Sequence, residues 1–100
     1  MAQLSIELIE QRIVEMLKAN VPVTQAAEDM YHFLQVGQGP DGHVIQQIVG
    51  YGEAGMVQAF STRPILQPMW KMNSQRALEF IRAFLKYATE EGNPPAGGTA

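Results

Sequence analysis

The stretch SQRALEFIRAFLKYATEEG, residues 74–92, contains the clearest helical pattern in the chain. Apolar residues recur in it at intervals of three and four, which predicts an amphipathic helix with one face turned toward a core. Asn73 or Ser74 is placed to cap its first turn, and Gly92 ends it. The predicted apolar face consists of Ala77, Leu78, Ile81, Phe84, Leu85 and Ala88.

Two further helices are predicted before this one. The first, about Ser5–Ala19, has apolar residues at helical spacing and ends before Pro22, which lacks an amide proton. The second, about Thr24–Gln35, begins with a threonine in the N-cap position. Residues 37–42, GQGPDG, are predicted to form a loop because glycine, proline and aspartate favour turns.

The centre of the chain leaves two structures open. Apolar residues in 43–60 recur in pairs at helical spacing, which favours two short helices. The β-branched content also permits a hairpin of Val44–Val49 against Met56–Phe60. The next segment, Arg63–Met72, contains two prolines and is expected to be an extended apolar connector.

These elements predict a compact all-α single domain of four to five helices over residues 1–92, followed by a flexible tail over 93–100. The alternative is an α+β fold with a central β-hairpin. With 46% hydrophobic residues in 100, the chain has enough apolar material for one core. It has no cysteine, which excludes disulfides, thiolate metal ligands and cysteine nucleophiles.

The charge is divided unevenly along the chain. Residues 1–60 carry a net charge of −5, and residues 61–100 carry +2. The acidic first part argues against general nucleic-acid binding, whereas the basic second part leaves room for one anion-binding patch. No apolar run reaches the roughly 18–20 residues that cross a bilayer, so we expect a cytoplasmic protein with no membrane partner.

A glycine pattern at residues 50–55, GYGEAG, matches the G-x-G-x-x-G pattern of dinucleotide-binding proteins. That pattern needs a strand before it, a long helix after it and an acidic residue about twenty positions on. The helix predicted here is interrupted by Pro64, and residues 70–75 contain no acidic side chain. We therefore interpret the glycines as a tight turn and expect no cofactor.

Candidate catalytic and metal-binding groups are few. Glu28, Asp29 and His32 share one predicted helix, but a metal site needs three or four ligands and the only other histidine, His43, is distant in sequence. Asp41 precedes His43 closely, yet no serine is marked as a nucleophile beside them. We predict no catalytic residue and no metal site.

The residues that favour partner binding lie in the last third of the chain. Trp70 lies between Met69 and Met72 and follows two prolines, a composition typical of an interface hot spot, although packing in the protein's own core is equally expected. Basic residues recur along the last helix opposite its apolar face. The predicted partner-binding set is Arg63, Met69, Trp70, Lys71, Met72, Arg76, Arg82 and Lys86.

The sequence thus predicts a non-enzymatic protein-binding module, a small regulator, adaptor or inhibitor, which acts through the connector and the basic face of the last helix. A homodimer formed through the same apolar surface is a further expectation. The alternative is a helix-turn-helix-like nucleic-acid-binding regulator, suggested by Val23–Ala27. Against it, the predicted turn is too long and the following helix has no lysine or arginine.

Overall fold

The computed structural model describes residues 5–39 and 42–92, and those residues form five helices and no strand. The helices are α1 (Ile6–Lys18), α2 (Val23–Gln38), α3 (Val44–Thr62), α4 (Gln67–Met72) and α5 (Ser74–Gly92). The predicted all-α fold is confirmed, and the hairpin alternative is wrong. The tail expected at 93–100 lies outside the described residues. None of the described helices is long and apolar enough to span a bilayer.

The boundaries of α1 and α2 follow partly from local sequence. Ser5 is the N-cap of α1, and its hydroxyl accepts a hydrogen bond from the Leu8 amide at 3.2 Å. In α2 the predicted cap is wrong, since the helix begins at Val23 with Pro22 as N-cap and Thr24 already inside it. Proline suits this position because its fixed φ is compatible with a helix start and its missing amide proton would have no helical partner.

The central segment is helical but bent. Gly52 has φ 71° and ψ −178°, a conformation that an L side chain rarely adopts, so α3 consists of two helical arms joined at this residue. The prediction of two short helices in 43–60 is therefore confirmed. The second arm ends at Thr62 because Arg63, which precedes Pro64, is extended.

The connector after Pro64 differs from its prediction. Residues Gln67–Met72 form α4 instead of an extended chain, with Pro68 in the first turn. A proline there costs no hydrogen bond, since the first amide groups of a helix have no intrahelical acceptor. The helical turn allows Met69 to enter the core, where it is 2% exposed.

The core lies mainly between α2 and α5, the two helices with the most extensive contact, and α3 and α4 also pack on α5. Phe80 and Phe84 stack within it, with ring centroids 6.3 Å apart. Phe80 is fully buried, although the predicted apolar face of the last helix omitted it. Other residues at 2% exposure or less are Leu17, Ala26, Ala27, Met30, Leu34, Phe60, Met69, Ala77, Ile81 and Phe84.

Candidate functional site: an apolar groove between α1 and α3

An apolar groove of about 250 Å³ lies between α1 and α3, and Arg63 and Leu66 at the start of the connector also line it. Its volume exceeds that of the engineered cavity of roughly 150 Å³ that holds benzene in another protein. The groove can therefore accommodate one or two apolar side chains. Its apolar lining consists of Ile6, Ile9, Ile13, Val44, Ile48, Tyr51, Met56, Ala59, Phe60 and Leu66.

Both arms of the bent α3 contribute to this groove. Tyr51 precedes the Gly52 bend, and Met56 and Phe60 follow it. At the mouth, Ile6 is 51% exposed and Tyr51 is 64% exposed, whereas Phe60 in the wall is buried. Large apolar side chains that are exposed next to a concavity mark a binding surface more often than a single scattered apolar residue does.

An ion pair lies in the wall of the groove. Arg63 Nε donates a hydrogen bond to Glu10 Oε2, and both residues line the groove. Glu10 is only 3% exposed and is the one charged residue that is buried in the described part of the chain. A buried carboxylate requires a partner because removing an unpaired charge from water is costly. Arg63, the residue that follows α3, is that partner.

Glu10 is the site residue that sequence reasoning missed. The helical pattern of α1 suggested that Glu10 was one of the polar residues between the apolar positions. It lies four residues after Ile6 and three before Ile13, however, and so belongs to the same stripe. A charge inside an apolar stripe was the available signal, but nothing local identified Arg63 as its partner.

Arg76 is bonded within the domain. Its guanidinium donates hydrogen bonds to the carbonyl oxygens of Leu17 at 2.9 Å, Met16 at 3.4 Å and Val21 at 2.5 Å. The last carbonyls of a helix have no intrahelical donor, so Arg76 caps the C-terminal end of α1 from α5. The guanidinium N–H groups that make these hydrogen bonds are therefore not available to bind another protein.

Arg82 is also paired, but at the surface. Its guanidinium donates to both carboxylate oxygens of Glu53, at 3.0 and 3.2 Å. These hydrogen bonds hold the pKa of Glu53 below its ordinary value. Lys71 and Lys86 are exposed and form no ion pair with any described residue. Of the basic residues predicted on the last helix, Lys86 is the one without a described side-chain partner, and binding through this face stays a prediction.

The structure divides the predicted connector surface. Met69 is buried, Trp70 is half-buried with its ring centroid 6.2 Å from that of Phe60, and Met72 is 62% exposed. The tryptophan therefore packs partly within the domain, beside the phenylalanine that lines the groove. Met72 and Lys71 are the members of the predicted connector set that lie fully at the surface.

The remaining sequence motifs do not converge on a site. The glycines of 50–55 lie in α3, and no strand accompanies them in the described residues. Asp29 pairs with Arg12 at 3.3 Å, and His32 Nε2 lies 3.4 Å from the Tyr87 hydroxyl. No group of three or more potential metal ligands occurs among the residues with described positions. Asp41 lies outside them.

A second concavity of about 570 Å³ lies between α2, the first arm of α3 and the end of α5. Among the residues with described positions, its lining includes three glutamines and no charged side chain. Gln38 already uses its side-chain oxygen to accept a hydrogen bond from the Ile45 amide, at 3.1 Å, at the start of α3. This cleft therefore offers fewer free polar groups than its residue types suggest.

Comparison with family models, with curated proteins and with solved structures finds no match to this chain. The assignment of the candidate site therefore rests on the geometry of the groove and on its ion pair.

Proposed function

We propose that this protein is a non-enzymatic protein-binding module that receives the apolar face of a partner helix in the groove between α1 and α3. The observation that carries the proposal is the groove itself, with Ile6 and Tyr51 exposed at its mouth. An amphipathic helix that inserts its apolar side chains into a groove is a common mode of peptide recognition. Fully burying one leucine or phenylalanine contributes about 1.5–3 kcal/mol.

Charge favours a partner with basic residues beside its apolar face. The two helices that form the groove carry Glu7, Glu10, Glu15 and Glu53, against Arg12 and Lys18. Glu10 pairs with Arg63, Glu53 with Arg82 and Arg12 with Asp29, which leaves the exposed Glu7 and Glu15 of α1 against Lys18. A second copy of this chain would bring the same acidic excess of α1 to the interface, which like-charge repulsion disfavours. A different protein with a basic flank is therefore the proposed occupant.

The first test is a selection of helical peptides against the purified protein. The library presents amphipathic helices with identical apolar faces and either basic or acidic flanks. Selected peptides are then measured on wild type, on the groove variant Ile6→Ser with Tyr51→Ala, and on the control Leu8→Ser with Val36→Ala. The control residues are also exposed, at 45% and 82%, but do not line the groove.

We expect basic-flanked peptides to be enriched and to lose at least about tenfold in affinity on the groove variant, while the control variant binds like wild type. Truncated hot-spot residues typically cost more than 1 kcal/mol each. Equal loss on both variants, or no selected binder, would contradict the proposal. Light scattering checks the homodimer: a dimer that the groove variant abolishes would identify a second copy as the occupant instead.

The surface predicted from sequence is tested in the same assay. A variant with Lys71→Ala, Met72→Ser and Lys86→Ala removes the exposed members of that set that form no ion pair with a described residue. If this variant loses the selected peptides and the groove variant does not, the peptides bind to the connector and α5.

The nucleic-acid alternative predicts salt-dependent binding to DNA, but α3 contains no lysine or arginine and no described contact favours it. A cytoplasmic location stays a prediction of the sequence.

A further inference from the structure

Arg63 has hydrogen-bonding capacity that the described residues do not use. A guanidinium carries five N–H donors, and Glu10 engages the one on Nε. The two terminal nitrogens of Arg63 have no acceptor among the described residues. The side chain is 38% exposed and lines the groove. These donors are therefore within reach of a molecule that enters the groove.

The charge of Arg63 is already balanced. The Glu10 side chain is 4% exposed and sits against the guanidinium, so the pair is close to neutral. A carboxylate brought in by a ligand would add a second negative charge beside the buried Glu10 carboxylate, which is unfavourable. An uncharged carbonyl accepts the same N–H groups without adding charge.

From these two properties we infer that the groove recognises an apolar side chain followed by an uncharged carbonyl, with Arg63 as donor to that carbonyl. This inference rests on the proposed protein-binding function and specifies which part of a partner helix enters. The last turn of a helix has carbonyl groups without an intrahelical donor. The occupant is accordingly the C-terminal turn of the partner helix, with its apolar residues in the groove.

Three small probes of similar size separate these chemistries. Ethylbenzene presents the apolar ring alone, acetophenone adds a neutral carbonyl, and benzoate adds a carboxylate. Affinities are measured by titration NMR on the full chain, following the signals of Ile6 and Tyr51. We expect acetophenone to bind about tenfold more tightly than either other probe, since a hydrogen bond to a charged donor has that magnitude. Equal affinities, or tightest binding of benzoate, would overturn the inference.

Two variants assign the preference to Arg63. Arg63→Lys keeps a cation beside Glu10 but removes the terminal guanidinium nitrogens. The double variant Glu10→Met with Arg63→Leu replaces the pair by apolar side chains, a change that buried ion pairs often tolerate. In the double variant, which has no donor, we expect the preference for acetophenone to vanish, and in Arg63→Lys, whose ammonium keeps three N–H donors on a shorter reach, to weaken. Ethylbenzene should still bind both. An undiminished preference in the folded double variant would exclude Arg63 as the donor.

The same variants keep this inference separate from the proposed function. Selected helical peptides should lose about tenfold in affinity on the double variant Glu10→Met with Arg63→Leu if their carbonyls accept from the guanidinium. Peptides that depend on Ile6 and Tyr51 but not on Arg63 would overturn the inference and leave the protein-binding proposal standing. A carbonyl preference among the probes without any peptide binder would contradict the protein-binding proposal and leave Arg63 as the donor to a carbonyl in the groove.

Discussion

The α2–α5 interface and the α1–α3 groove use the same kinds of apolar residue, but only the first is closed. Leu34 and Phe80 in the α2–α5 interface are 0% exposed, whereas Ile6 and Tyr51 at the groove are more than half exposed. The closed interface is made of continuous helices that pack along their length. The open one faces a helix that changes direction at Gly52. Hydrophobicity alone therefore does not distinguish a core from a binding surface.

The two regions also differ in the charged groups that they contain. The α2–α5 interface contains the stacked and buried rings of Phe80 and Phe84. The groove contains the buried Glu10 and its partner Arg63. A buried ion pair adds little to stability compared with apolar packing, so its presence in the groove wall fits recognition better than structural support. Substitutions that affect the two regions unequally test this division.

The largest effect is expected from Phe80→Ala. Removing a fully buried phenylalanine leaves a cavity in the closed interface and should lower the free energy of unfolding by about 3–5 kcal/mol. Tyr51→Ala at the groove removes a mostly exposed aromatic ring and should change it by no more than about 0.5 kcal/mol. Urea unfolding monitored by circular dichroism measures both. Similar losses for the two variants would mean that the groove also stabilises the fold.

A smaller effect is expected from Arg76→Met, which removes the donors that α5 provides to the end of α1. Its carbonyl partners are partly buried, and we expect a loss of about 3 kcal/mol. Lys86→Met on the same helix is the control and should be within about 0.5 kcal/mol of wild type, because Lys86 is exposed. Equal stability of the two variants in thermal unfolding would show that Arg76 is not a structural cap.

The smallest effects are expected at two glycines of α3, and they should have opposite signs. Gly52→Ala forces a side chain into a left-handed conformation and should cost about 2 kcal/mol and weaken groove binding. Gly50→Ala should stabilise by about 0.4–1 kcal/mol, since Gly50 is helical and an added Cβ meets no atom within 4 Å. Thermal unfolding distinguishes them. Stabilisation by both would mean that α3 straightens without cost.

The helices could be predicted because the interactions that define them are local. The apolar spacing of α5 and the Ser5 cap of α1 depend on residues three or four positions apart. The α4 prediction failed because proline was interpreted as favouring an extended chain, although at the first turn it is compatible with a helix. The burial of Met69 in the core supports the helical turn there.

The candidate site was less accessible to prediction. Trp70 and the basic residues stood out by type, yet type does not reveal whether a side chain is already engaged. Arg76 and Arg82 have partners on other helices, at positions that the periodicity of α5 does not encode. The groove itself is formed by residues from α1, both arms of α3 and Leu66, and no single segment contains its pattern.

The sequence by itself favoured an all-α chain and determined the approximate positions of its main helices and the presence of enough apolar residues for one core. Only the tertiary structure decided which charges pair and which apolar residues remain exposed. The physical reason is the range of the interactions. Helix periodicity and capping act over three or four residues, whereas Glu10 meets Arg63 across 53 positions and Leu17 meets Arg76 across 59. Such pairs exist only after the helices have packed.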